Sequence, residues 1–149
     1  MKAYTDVQQS IVLMDILPIE TSDSHYVRKI CDYMGNPVDG KWSNPYFGNP
    51  NSTHANYFVQ NFENYEVIPC WSLTALFAAI PKRFGHDNVL RMDMSNDDFS
   101  LWYDEIGYGT NTSYPDITMT EYVDACYYMI CSLNKQGLLN NKIYFIKDF

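Results

Sequence analysis

The sequence predicts an α+β fold: about three helices packed on a small antiparallel sheet of 3–5 strands. Three observations predict it. Three segments place apolar residues at helical spacing beside capping residues. Two consecutive segments alternate apolar and polar residues around Ser95-Asn96-Asp97-Asp98, as the arms of a hairpin do. A chain of 149 residues with a 46% hydrophobic fraction can also bury one core without metals or disulfides. Residues 1–149 are therefore read as a single α+β domain with a long Gly/Pro/Asn-rich insertion at about 34–56.

The first helix is expected over YTDVQQSIVLMDILP. Thr5 is the cap, Gln8 completes a capping box, and Val7, Ile11, Met14 and Leu17 form one face; Pro18 stops it. The piece Tyr26 to Tyr33 reads as a strand. Residues 34–56 are dense in Gly, Pro, Asn and Ser, which marks turns, yet the stretch is too long for a plain connector. It carries Trp42, Tyr46 and Phe47, so it is read either as an ordered excursion or lid, or as a variable surface loop. These three aromatics are the candidate binding residues.

A short extended piece within YFVQNFENYEVIPC is expected to lead into a second helix. That helix is capped by Ser72, with Leu73, Leu76, Phe77 and Ile80 inward and Pro81 at its end. In the hairpin that follows, Leu90, Met92 and Met94 alternate on one arm and Phe99, Leu101 and Tyr103 on the other, predicting one buried and one solvated face. The last helix is expected to start at Thr118 with Glu121 as capping-box partner. Its apolar face is Met119, Tyr122, Val123, Cys126, Met129, Ile130 and Leu133, and Gly137 is its C-cap. KIYFIKDF reads as a final strand or docked segment.

Eighteen acidic residues against ten basic give a net charge of −8. Such a surface repels phosphate backbones, so direct nucleic-acid binding is not expected, and basic partners are favoured. The 13 tyrosines suit either sheet faces or a contact surface. No apolar run follows the first lysine and no stretch approaches a membrane span, so a cytoplasmic protein with no membrane association is expected. Cys31, Cys70, Cys126 and Cys131 are then free thiols, mostly buried.

The tests for site chemistry are negative. His25, His54 and His86 are isolated in sequence and the cysteine spacing does not suit zinc, so no metal is expected. Asp93, Ser95, Asp97 and Asp104 fall at EF-hand positions, but the sixth position is Asp98 where glycine is needed, and the pattern is a hairpin's. A dyad of Cys70 with His54 or His86 has no local support. Glu63, Glu66, Asp104 and Glu105 read as solvated carboxylates. No phosphate-binding or HExxH motif occurs, so no catalytic residue and no cofactor is assigned.

Three segments carry a resemblance: TDVQQSIVLMDILPIETSDSHY, IPCWSLTALFAAIP and VDACYYMICSLNKQGLL. Together they resemble a group of small uncharacterised proteins encoded by Bacteroides-type gut bacteria, their phages and mobile elements, which share a WSL…DAC signature. The segments cover under half of the chain, and residues 34–56 are longer here than in the usual member. The resemblance transfers no activity. With the acidic surface and the tyrosine excess, it leads to the expectation of a non-enzymatic interaction protein of a phage or mobile element. Its partner would be a host or element protein, and an inhibitor of a host defence protein fits that class. The alternatives are a small-molecule or nucleotide-binding protein, sponge-like or a weak hydrolase, and a minor structural accessory protein.

Overall fold

By backbone contact the chain divides into two units, Tyr4–Ala75 and Met1–Ala3 with Leu76–Phe149. The computed structural model describes residues 2–139. The fold is α+β, with four α-helices and antiparallel sheets of three and five strands among the described residues. The expected strand KIYFIKDF lies outside the described residues.

In the Tyr4–Ala75 unit, helix α1 runs Val7–Met14. Asp6, not Thr5, is its cap: the carboxylate accepts from Gln9 N, and the Gln9 side chain accepts from Asp6 N. The capping box is real but shifted by one residue, because Thr5 is used elsewhere. Its backbone N–H donates to Trp71 O, and its hydroxyl accepts from Trp71 N at 3.1 Å and meets Ser10 Oγ at 2.8 Å. Leu13, and Leu17 beyond the helix, are buried while Ile11 and Met14 are about 40% exposed. Of the expected face, Val7 and Leu17 do pack inward, and Ile11 and Met14 are corrected: Gln9, Ser10 and Leu13 are the buried residues of the helix.

Strand β1, Ser24–Lys29, is the centre of the first sheet. It pairs with β2, Tyr46–Phe47, on one side and with β3, Tyr65–Cys70, on the other. Tyr26, Ile68 and Cys70 form one buried cluster of this unit, joined by Val7 and Trp42. Helix α2, Thr53–Gln60, was not foreseen. Its residues are mostly weak helix formers, but Ser52 Oγ accepts from Ala55 N and fixes the first turn.

The chain crosses between the units within α3, Leu73–Ala79, where Ser72 Oγ accepts from Ala75 N as the expected cap. In the other unit, β4 (Arg83–Phe84), β5 (Asn88–Ser95), β6 (Asp98–Glu105) and β7 (Gly109–Thr110) lie in that order, and β8 (Ile117–Met119) also pairs with β6. The hairpin turns on Asn96-Asp97, with Asn96 in the left-handed region, and pairs Ser95 with Asp98. Phe99, Leu101 and Tyr103 are buried as expected. Met92 and Met94 are 46% and 61% exposed, although they pair with Leu101 and Phe99. Helix α4, Tyr122–Lys135, packs on β6 and β8, so the apolar alternation of β5 outruns its cover.

Helix α4 starts at Tyr122, four residues after the expected Thr118, which is bonded instead in β8 through Ser100. Glu121 occupies its N-cap but does not cap it with its side chain, whose Oε2 accepts from Lys2 N at 3.0 Å. Of the predicted face, Met119 belongs to β8 and Tyr122 is half-buried, whereas Val123, Cys126, Met129, Ile130 and Leu133 are buried and Ala125 joins them in the helix. Gly137 closes it at φ 76: Leu138 N–H reaches Leu133 O and Gly137 N–H reaches Asn134 O, the two bonds of a Schellman ending.

Candidate functional site

A cluster of histidine and aromatic side chains lies in the Tyr4–Ala75 unit, where the 46–60 segment folds back on β1. The register places Tyr46 opposite His25, and His25 is fully buried. Its Nδ1 lies 2.6 Å from Gly48 O and its Nε2 lies 2.9 Å from His54 Nδ1, on the first turn of α2. The Tyr46 ring stacks on His25 at 5.6 Å and meets His54 at 4.5 Å. One buried imidazole therefore holds both β2 and α2.

A carbonyl oxygen only accepts, so Gly48 fixes the His25 tautomer as Nδ1–H. Burial holds His25 below the ordinary histidine value; the Gly48 bond opposes this and the neighbouring His54 reinforces it. In neutral His25 the Nε2 lone pair must accept, so His54 Nδ1–H donates to it. Neutral His54 then carries its free lone pair on Nε2, on an exposed residue. Gly48 is the glycine this arrangement requires: φ is +96, and a Cβ there would stand 2.7 Å from Ser52 Cβ, at the α2 cap.

The rings continue along α2. His54 meets Phe58 at 5.4 Å, one turn on; Phe58 meets Tyr57 at 5.1 Å and Tyr65 of β3 at 5.0 Å. Beyond them Val59 and Phe62 join Ile30, Tyr65, Glu66 and Val67 around a groove of about 290 Å³. Helix α2 buries only Ala55, and its sequence THANYFVQ contains no Asp, Glu, Lys or Arg. Tyr57 is 62% exposed and Phe62 70%.

The three aromatics chosen from the sequence have separate fates. Tyr46 enters the histidine cluster. Phe47, beside it, is 90% exposed. Trp42 packs on the core of the unit, with the Arg28 guanidinium 4.8 Å from its ring centre. Sequence reasoning missed His25, His54, Tyr57, Phe58 and Phe62. The available signals were Ser52 as a cap and His54/Phe58 at i, i+4.

Other candidates are spoken for. Cys70 is buried, its thiol pushed up to about 11 by burial, with hydrogen bonds from Thr5 and Tyr26 pulling the other way. Burial pushes Cys126 up to about 12. The four cysteines are free thiols. The Asp23 carboxylate accepts from Ser72 N at 2.9 Å and from the Ser72 hydroxyl. Glu66 pairs with Arg28, and Asp104 with Arg91. Among the described residues no three His, Cys, Asp or Glu side chains come together as metal ligands, and no helix is long and apolar enough to cross a membrane. Comparisons with protein-family models, with curated proteins and with solved structures find no match.

Proposed function

We propose that the chain is a non-enzymatic protein-interaction module of a phage or mobile element, and that its partner covers the face built by α2 and β2. The observation that carries this is α2 itself: a helix almost wholly in solvent that has no charged residue and presents aromatic rings. A helix face left to water is ordinarily charged. The centre of a protein interface is depleted of charge and enriched in Tyr, Trp and Phe. Glu66 lines the groove beside α2 and Glu63 follows the helix in sequence, and the unit holds eight acidic residues against three basic ones. The fitting partner is a protein with an apolar hollow rimmed by Lys or Arg. The sequence resemblance supports a host or element protein, and a defence protein inhibited by being covered is one form of it.

A small-molecule site is less well supported. The groove beside α2 lies at the lower end of ligand-site volumes, and none of residues 42–47 lines it.

The test is affinity capture from a Bacteroides lysate, with and without phage infection, using the wild type, Tyr57→Glu and, as a control in the other unit, Tyr108→Glu. Tyr57 and Tyr108 are both exposed, so folding should survive. An anchoring aromatic contributes about 2 kcal/mol or more, roughly 30-fold in affinity. A single protein captured by wild type and Tyr108→Glu, lost with Tyr57→Glu and weakened by salt, is the expected result. Capture indifferent to Tyr57→Glu would remove α2 from the contact.

A further inference from the structure

The His25–His54 pair does more than fasten a loop: we propose that it is a proton-operated latch, closed with up to one added proton and opened by the next, which frees residues 46–54 and the start of α2 from β1. This concerns the opening of the segment itself and holds whatever α2 binds.

The argument is a count of protons on four ring nitrogens. With both rings neutral, His25 Nδ1–H donates to Gly48 O and His54 Nδ1–H donates to His25 Nε2. His54 Nε2, on an exposed residue and outside the ring–ring bond, has room for one added proton with that bond kept. A second has only His25 Nε2 to occupy. There it points N–H at N–H, and two cations stand with ring centres 5.1 Å apart. The bond is lost and like charges repel. Opening exposes His25 Nε2 to water, where it takes the proton, so acid drives the opened form.

The surroundings offer no relief. Tyr46 faces the pair from β2 and Phe58 touches His54 within α2; neither is a carboxylate. Opposite His25 on β3 is Pro69. The nearby carboxylate in sequence, Asp23, is engaged by Ser72. Among the described residues no carboxylate is hydrogen-bonded to either ring. A buried histidine beside a carboxylate would tolerate its proton; this one faces another histidine. The latch acts on a short span: β2 contributes two residue pairs, and Gly48 N–H donates to Asp23 O.

The test is amide hydrogen exchange by NMR between pH 7.5 and 5, expressed as protection factors, on the full chain and on His54→Asn. Asparagine places an amide near the former Nδ1, and by turning over it can donate to neutral His25 or accept from its cation. In the wild type, protection of Gly48 and Asn56 should fall by up to about tenfold per pH unit once the second proton binds. The Thr5 and Ile30 amides, bonded to Trp71 O and Asn64 O, should keep theirs. In His54→Asn all four should be insensitive to pH. The proposal is overturned if Gly48 and Asn56 stay protected in the wild type at pH 5. Equal loss at all four amides overturns it too, since that is general unfolding, as does opening of His54→Asn at the wild-type pH.

Discussion

Replacing Thr5 by valine tests whether the sheet that carries the site is anchored by hydrogen bonds or by apolar packing. Thr5 and Ser10 are fully buried, and so is Trp71. The Thr5 hydroxyl accepts from Trp71 N at 3.1 Å and shares a proton with Ser10 Oγ at 2.8 Å. Valine keeps the shape and removes both bonds, together with the weak Thr5 Oγ1 contact to Cys70 Sγ at 3.8 Å. The Trp71 N–H is left buried without a partner, which costs about 1–3 kcal/mol, and the hydroxyl–hydroxyl bond contributes about 1 kcal/mol. A small gain from the added methyl offsets part of this, leaving a net loss of about 2–3 kcal/mol. Serine keeps the oxygen and loses one methyl, about 1 kcal/mol. Urea unfolding followed by circular dichroism should rank wild type above Thr5→Ser above Thr5→Val. Apolar packing alone predicts the reverse order of the two variants. Thr5→Val within 0.5 kcal/mol of wild type, or Thr5→Ser as the weaker variant, would refute the anchoring role.

Two further outcomes follow from burial. In the native protein a thiol reagent near pH 8 should label Cys31 and Cys131, which are partly exposed, well before Cys70 and Cys126, whose burial keeps them protonated; equal rates in all four would contradict the core placement. Met94→Thr on the uncovered arm of the hairpin should change stability by less than about 0.5 kcal/mol, whereas Leu101→Ala should cost about 2–5 kcal/mol, both read by denaturant titration.

The sequence by itself determined the elements whose signals are local. The hairpin about Asn96-Asp97, the buried face of α4 with its Gly137 ending, and the Ser72 cap of α3 are all set by side chains within a few residues of one another. The α+β class follows from their sum. Where the reading slipped, a distant partner had intervened. Thr5 looks like a helix cap, but Trp71, 66 residues on, takes its hydroxyl, and the cap passes to Asp6. Met92 and Met94 alternate as a buried arm does, but α4 covers β6 and β8 instead. Helix α2 has little helical propensity and is held by Ser52 and by rings on other elements. The site was hidden for the same reason. His25 and His54 are isolated in sequence, and only the pairing of Ser24–His25 with Tyr46–Phe47 brings their nitrogens within 2.9 Å. Local chemistry is written along the chain; which donors meet which acceptors across it is decided by register, and register exists only once the sheet has formed.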